Sequence, residues 1–594
     1  MTRFLPAGLA AAALLTACGS APSPPPAASA KAPAEGLRLL IEQYGDDYRS
    51  LNPRPLPQGA VVRFDPGLNL NISAQFLADS LALERRYLEA VEALSRERPP
   101  ADAQLTYDLF RRERELAVES FTYPAELMPV NPFRSVPLEF ARTGAGDGPY
   151  AILNAKDYDN WQLRVEDYVR WTAQAIANMR DGLGRGYIEP GVLITRMLPT
   201  LDVLAEDTPG NIFYGSLRSI PSSLPDAERK RLAEGVSSGV KGKILPAYRE
   251  LRDFLRREYL PRARQTVGLS ALPLGEAWYA YLVRRETGSH LAPTELHAIG
   301  VAETERLRER LQAVLAQAGF VGTPQSFFEA MHREPRTALK TTEELQGIYD
   351  QLKIETVAAI PTLFEGLPQG AFAIRPLEAF RQATAPALSY ERAVNRSSAA
   401  ALYVNTEDSD KQTFVPSIAE FLRKAIPGYH YQISIQDEHG DLPRFRREGG
   451  DPGFVEGWGM YAESLGEQLG LYRDTEAKFD ALKDQMECSA GMVVDTGMNA
   501  LGWSRLEALD YVQAKLPISG EEANNLVDRA VALPAEALAC AMGLRAMRGL
   551  RERAEGSLGA RFDPRLFHAE ILSQGSMPLD ILEARLNRRL ATLH

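Results

Sequence analysis

Residues 453–472 read GFVEGWGMYAESLGEQLGLY. Set on a helix, Glu456, Met460 and Glu463 are spaced by four and three residues and share one face. Trp458 and Tyr461 stand three apart on an adjoining face. The stretch otherwise reads as buried, and a carboxylate inside a protein needs a metal, a cation or a proton beside it. Glu456, enclosed by glycine and tryptophan, reads as a site residue ahead of its alternative, an acidic residue favoured by a helix N-terminus. Glu463 reads equally as a site residue or as the start of a solvated side continued by Glu467.

Working outward, the same period recurs along most of the chain. LADSLALERRYLEAVEALSRER (77–98) and VAETERLRERLQAVLAQAG (301–319) place apolar residues three and four apart among Glu and Arg. Gly319 and Gly322 then supply stop signals. DALKDQMECSAGMVVDTGMNALG (480–502) becomes more apolar in its second half, as a helix entering the interior does. Strand signals are few: AFAIRPL (371–377) and ALYVNT (401–406) show alternation or β-branched content. The expected fold is therefore mainly α, a large helical body with a small β-sheet beside a cleft. A soft boundary near residues 265–295 divides residues 37–594 into candidate lobes, 37–280 and 281–594.

The N-terminus is a targeting signal. MTRFLPAGLAAAALLTAC has one early charge, an apolar run from Leu9 to Leu15 and small residues before Cys18. That run is shorter than the ~20 residues a bilayer requires, so residues 1–18 read as a signal peptide. Leu15-Thr16-Ala17-Cys18 resembles the lipobox of bacterial lipoproteins, which implies lipidation of Cys18 and firm attachment through its acyl chains. Gly19, in place of the Asp associated with inner-membrane retention, points to the outer membrane, facing the periplasm. Residues 19–36, rich in Pro, Ala and Ser, make a disordered tether. The net charge of −11 is spread along the chain, which argues against a nucleic-acid partner. Cys488 and Cys540 are the other cysteines. An oxidising compartment would let them pair, but two separate buried thiols are the favoured expectation.

Compact catalytic motifs are scarce. Seven histidines occur, with no HExxH and no pair at i, i+4, whereas a catalytic zinc wants three protein ligands and an open position. Gly235-Val236-Ser237-Ser238-Gly239 matches G-x-S-x-G in form only. A polar helical run precedes it where a nucleophile elbow needs a strand.

Phe421–Gln432, FLRKAIPGYHYQ, is more informative. With Glu456–Glu463 it resembles a bacterial family of lipoproteins and related proteins, themselves similar to gluzincin-type zinc metallopeptidases. Members carry HEAxPGHHxQ followed by EGWxxYxE. The second motif is complete here in Glu456, Gly457, Trp458, Tyr461 and Glu463. A later DTGxHxxGW appears as Asp495–Trp503 with Asn499 at the histidine, and the family's PxQAL as Pro534–Leu538 with Glu536 at the glutamine and Cys540 at a tyrosine beyond. The closing FH…G…PL stands as Phe567-His568, Gly575 and Pro578-Leu579. The resemblance implies one metallopeptidase-like fold over residues 37–594.

In the first motif the changes fall on the chemistry. Arg423 replaces the first histidine and Lys424 the catalytic glutamate, while Tyr429 replaces the first histidine of the HH pair. The resemblance leaves open whether position 429 or 430 faces the metal. In a straight helix positions 423 and 430 lie ~10 Å apart along the axis, so Pro427 and Gly428 must bend the chain. His430 and Glu456 are the ligands that remain, with Glu463 behind them, and two ligands beside two cations make a poor zinc site. No metal or other cofactor is expected. We expect Arg423 or Lys424 to supply Glu456 with the positive charge that a metal otherwise would.

The expected protein is a lipid-anchored envelope pseudo-peptidase that binds peptides in a cleft around Arg423, Lys424, Tyr429, His430, Glu456, Tyr461, Glu463 and Asn499. The alternative is an active zinc-dependent peptidase using His430, Glu456 and Glu463 in a non-standard site. Whether the chain is an enzyme is open on this reading.

Overall fold

The computed structural model describes residues 33–592, apart from 53–56, 59–60, 63–67, 95–100, 145–153, 218–219, 334–340, 378–386, 394–398 and 407–416. The expected signal peptide, Cys18 and residues 19–32 of the expected tether lie outside the described residues, while 33–36, also read as disordered tether, open a helix, Pro33–Leu51. The chain is mainly α-helical, with a three-stranded sheet in its C-terminal half.

The N-terminal region is built on a 31-residue helix, α1 (Ala155–Arg185). Asn154 caps it by accepting from the Asp157 N–H, and Gly186 ends it at φ 84°. Buried Tyr158, Trp161, Val165, Tyr168 and Ile176 follow the helical period on one side. The Phe140 ring stacks on Tyr168 at 4.0 Å and on Trp161 at 4.9 Å. The candidate elbow at 235–239 lies at the end of a helix, Asp226–Gly239, without the strand that its chemistry requires.

Helix α2 (Pro293–Gln317) covers the 301–319 prediction, with Gly319 at φ +76° just past its end. The sheet follows. Strands β1 (Phe372–Pro376) and β3 (Ala400–Val404) answer the two predicted strands and pair in parallel, Phe372 against Ala400. Between them in sequence, β2 (Leu388–Glu391) pairs antiparallel with β3, which is thus the central, fully buried strand.

Next come α3 (Ile418–Lys424) and α4 (Tyr429–Glu438), on either side of a break that includes a cis Ile426–Pro427 bond. A Cβ on Gly428 would stand 1.8 Å from the Arg423 carbonyl oxygen, so only glycine closes this turn. The predicted bend at Pro427 and Gly428 is present. Helix α5 (Pro452–Glu463) carries the EGW stretch and is capped by Asp451, with proline in its first turn. It stops at Glu463, and Glu467 lies beyond it in a turn on the exposed surface.

Helix α6 (Thr475–Asn499) enters the interior as expected, with every residue from Cys488 to Asn499 buried. Helices α7 (Glu536–Leu558) and α8 (Pro564–Leu572) complete the surroundings of α5. The α5 and α7 backbones touch: a Cβ on Gly457 would lie 2.3 Å from the Gly543 Cα. Cys488 of α6 and Cys540 of α7 form a disulfide, correcting the expectation of separate thiols. The two motif stretches that bring them together are far apart in sequence, so their spacing carried no sign of the pairing.

One apolar core joins the sheet to α3, α5, α7 and α8, and another surrounds α1. Two further clusters draw residues from both sides of the 265–295 stretch, Leu193 with Val494 in one and Tyr123 with Met492 in the other.

Candidate functional site

Because α3 ends at Lys424 and α4 begins at Tyr429, the break turns Tyr429 back toward Arg423. The Cβ position of Gly459 on α5 would fall 2.2 Å from the Tyr429 ring and 3.2 Å from the Arg423 Cγ. Glycine there lets both side chains lie flat along α5. Tyr429 donates its hydroxyl proton to the Glu456 Oε2. Burial, with Glu456 next, pushes the Tyr429 phenol well above its ordinary pKa, so it stays a donor.

Arg423 passes Glu456 and reaches a deeper set of carboxylates. Its Nε lies 3.6 Å from Glu463, and its Nη2 lies 3.4 Å from Asp484 and 4.0 Å from Glu420. Its Nη1 donates to the Met460 sulfur at 3.2 Å. Burial opposes this charge, but Asp484, Glu463 and Glu420 outweigh it and hold the guanidinium firmly protonated. Glu463 is fully buried and neither of its oxygens accepts a hydrogen bond. Burial and then Asp484 push its pKa well up, against the pull of Arg423. The expected cation for Glu456 is corrected for Arg423 only, because the charge of Glu456 still acts on Lys424 and raises its pKa against burial. Arg423 serves Glu463, and Glu456 is met by a phenol, because the break after Lys424 inserts the Tyr429 ring between them.

Lys424 stands on the other side of that ring, its Nζ 5.1 Å from the Tyr429 centroid. Burial, then Arg423 beside it, lower its pKa. His430, next to Tyr429, points away toward the sheet. Its Nε2 bonds the Gly370 carbonyl at 3.0 Å, and its Nδ1 meets the Tyr390 hydroxyl at 3.3 Å and Ser434 at 3.4 Å. Burial pushes its pKa down to about 4, which fits a neutral ring donating from Nε2 and accepting at Nδ1. Position 429, and not 430, thus faces Glu456.

The other predicted residues part company with this group. Tyr461 hydrogen-bonds His568 Nε2 at 2.8 Å and accepts from Arg551 at 3.2 Å. Trp458 donates to the Pro427 carbonyl at 2.9 Å, which fastens the α3–α4 break to α5. Asn499 accepts from the Leu269 N–H and donates to the Ala530 carbonyl, both at 3.0 Å, and so ties those two segments together. His430, Glu456 and Glu463 therefore do not converge. Among the described residues no three His, Cys, Asp or Glu side chains stand together as a metal donor set.

A cleft of about 350 Å³ opens beside Glu456, lined also by Arg134, Arg392, Gln432, Val455 and Glu536. Sequence reasoning missed Gln432, although it ends the quoted PGYHYQ run, and also missed Glu420 and Asp484, the partners of Arg423. Glu420 precedes Arg423 by one helical turn and could have been found by that spacing. Asp484 comes from a distant helix and left no local signal.

A family model described as "Bacterial protein of unknown function (DUF885)" matches residues 65–586. Two solved structures share the fold. A "putative lipoprotein" from Colwellia psychrerythraea superposes with a TM-score of 0.83 at 21% identity, over 94% of this chain and 100% of that one. A second, a "putative lipoprotein of unknown function" from Shewanella oneidensis, gives 0.66 at 15% identity, over 93% and 99%. No curated protein matches the chain.

Proposed function

We propose, for a chain that belongs to the DUF885 family of bacterial proteins, that it is a lipid-anchored envelope protein whose metallopeptidase-like cleft binds peptides without cleaving them. One observation carries this reading: a permanently charged guanidinium fills the space among Glu463, Asp484 and Glu420, beside a Glu456 already engaged by Tyr429. The residues do not fit a zinc ion. Arg423 and Lys424 offer no lone pair while protonated and repel a dication. Both nitrogens of His430 are committed to Gly370, Tyr390 and Ser434, and a water-activating metal needs three free donors.

A retained cleft with both guanidinium and carboxylate walls suits a chain of amides bearing mixed charge. The lipobox resemblance at Cys18 supports anchoring, and the "putative lipoprotein" neighbours agree with it. The outer membrane, facing the periplasm, follows from Gly19.

The test is incubation of the purified protein with a mixed peptide library, with and without Zn²⁺ and chelator. The expected result is recovery of bound, uncut peptides, reduced when Val455→Trp fills the cleft. Chelator-sensitive cleavage would overturn the non-catalytic reading. Replacement of Cys18 by Ser should release the protein from the membrane fraction.

A further inference from the structure

The charges on the cleft wall pair off, with one exception. Of its carboxylates, Glu286 is held by Arg285 at 2.6 Å and Glu448 by Arg444 at 2.7 Å, while Glu536 is held by Arg134 at 2.8 Å and Arg529 at 3.0 Å. Arg392, the other guanidinium of the wall, is taken by Asp437 and the carbonyls of Arg447 and Glu448. Glu456 is the carboxylate left over. Its Oε2 accepts from Tyr429, a neutral donor, and no described cation stands within ion-pair distance of it.

Lys424 is the rival for this charge. It feels Glu456 through space, but it is not a residue of the cleft wall. It stands against the Tyr429 ring, and both burial and the adjacent Arg423 oppose its own charge. Glu456, by contrast, lines the cleft and is partly exposed, so a ligand can reach it. Tyr429 settles which atom is offered: with Oε2 taken by the phenol, Oε1 is the oxygen that remains. The wall around it is apolar, since Ile433, Val455 and Ala539 face the same space of about 350 Å³. A positive charge brought among such groups is costly unless a counter-charge meets it, and Glu456 supplies one.

Resting on the peptide-binding reading above, we infer that the cleft takes a ligand bearing a primary ammonium next to an apolar group, the ammonium donating to Glu456 Oε1 and the apolar group lying against Ile433, Val455 and Ala539. A peptide's amino-terminal residue and a lysine side chain both carry this chemistry. An anionic group finds no equivalent partner on the wall, because Arg134 and Arg392 already have theirs.

The test compares tripeptide amides carrying a free α-amino group with the same peptides N-acetylated, by calorimetry, on the full chain. The free amines should bind at least about fivefold tighter, as expected for a charge-assisted bond in a cleft open to water. Glu456→Gln, which keeps an acceptor for Tyr429, should erase the difference. Glu467→Gln removes a charge from an exposed turn and should preserve it, with thermal melts verifying that each variant folds. Persistence of the difference in Glu456→Gln would overturn the assignment to Glu456. An N-acetylated tripeptide amide containing one lysine separates the two sources. Tight binding of that peptide, lost in Glu456→Gln, would support the site with a side-chain ammonium. Weak binding beside tight free amines would support it with the amino terminus. In a second arm, n-pentylamine should bind the wild-type chain and not Glu456→Gln. Equal binding of free and acetylated peptides would overturn the ammonium site while leaving peptide binding intact. Failure of every peptide with binding of pentylamine would support the ammonium site and overturn the peptide reading. Failure of both would overturn both.

Discussion

The two sides of α5 solve the same problem differently. On one side Trp458 and Tyr461 bury polar atoms, and each has a partner of ordinary geometry: the Pro427 carbonyl for the indole, His568 and Arg551 for the phenol. The His568 Nδ1 is in turn held by the Leu363 carbonyl at 2.8 Å. On the other side Glu463 is equally buried, yet neither oxygen accepts a hydrogen bond, and its ion pair with Arg423 is long at 3.6 Å. Chains of satisfied bonds of the first kind fix a fold. A charge cluster with loose geometry is what remains when groups are held together by attraction between opposite charges alone.

The largest expected effect breaks the second side. Arg423→Met leaves Glu463, Glu420 and Asp484 without their shared cation and should cost about 3–5 kcal/mol in urea unfolding. Glu463→Gln alone should cost far less, because burial already holds that carboxyl toward its neutral form. The double variant should recover part of the loss. If Arg423→Met is as stable as wild type, the cluster is not held by charge and the comparison fails.

The pH profile tests the first side. Burial pushes the His568 pKa down to about 4, below the ~6.5 of the unfolded chain. Between those values the unfolded state binds the extra proton, so the contribution is complete above pH ~6.5 and is lost as pH falls toward 4. The deficit approaches ~3 kcal/mol for this histidine at pH 4. His430, also near 4, behaves alike. The stability difference between wild type and His568→Gln should therefore shrink as the pH is lowered across this window.

A smaller loss, ~1–3 kcal/mol, should follow Tyr461→Phe, which leaves His568 Nε2 buried without a donor. Smallest is Tyr429→Phe, at under ~1 kcal/mol, because Glu456 is partly exposed and water can replace the phenol. A Tyr429→Phe loss exceeding that of Tyr461→Phe would reverse the assignment of rigid and loose sides.

Helical periodicity and the few β-rich runs were enough to place α2, α6, β1 and β3, since those patterns are local. Strand β2 was missed. Its four residues, LSYE, are too short to show alternation, and it exists because β3 offers it an edge. At the site, the bend at Pro427-Gly428 was legible from residue type, whereas its outcome was not. Which of Tyr429 and His430 faces Glu456 depends on how far the turn rotates α4. The partner of Arg423 depends in the same way on the side chain's reach across α5 to α6, and adjacent letters carry no record of either.

The contact between Gly457 and Gly543 has a consequence for how such a cleft can change. Helix α5 is seated by bare backbone, with a Cβ on Gly543 coming to 2.1 Å from the Gly453 carbonyl oxygen, and α7 is tied again to α6 by Cys540. None of these fastenings involves Arg423, Lys424, Tyr429 or Glu456. This part of the α5 seat is thus set by backbone contact and a disulfide, apart from the side chains mounted on the wall. A side chain on that wall can be exchanged, a cation for a donor or a phenol for an imidazole, without undoing either of these fastenings.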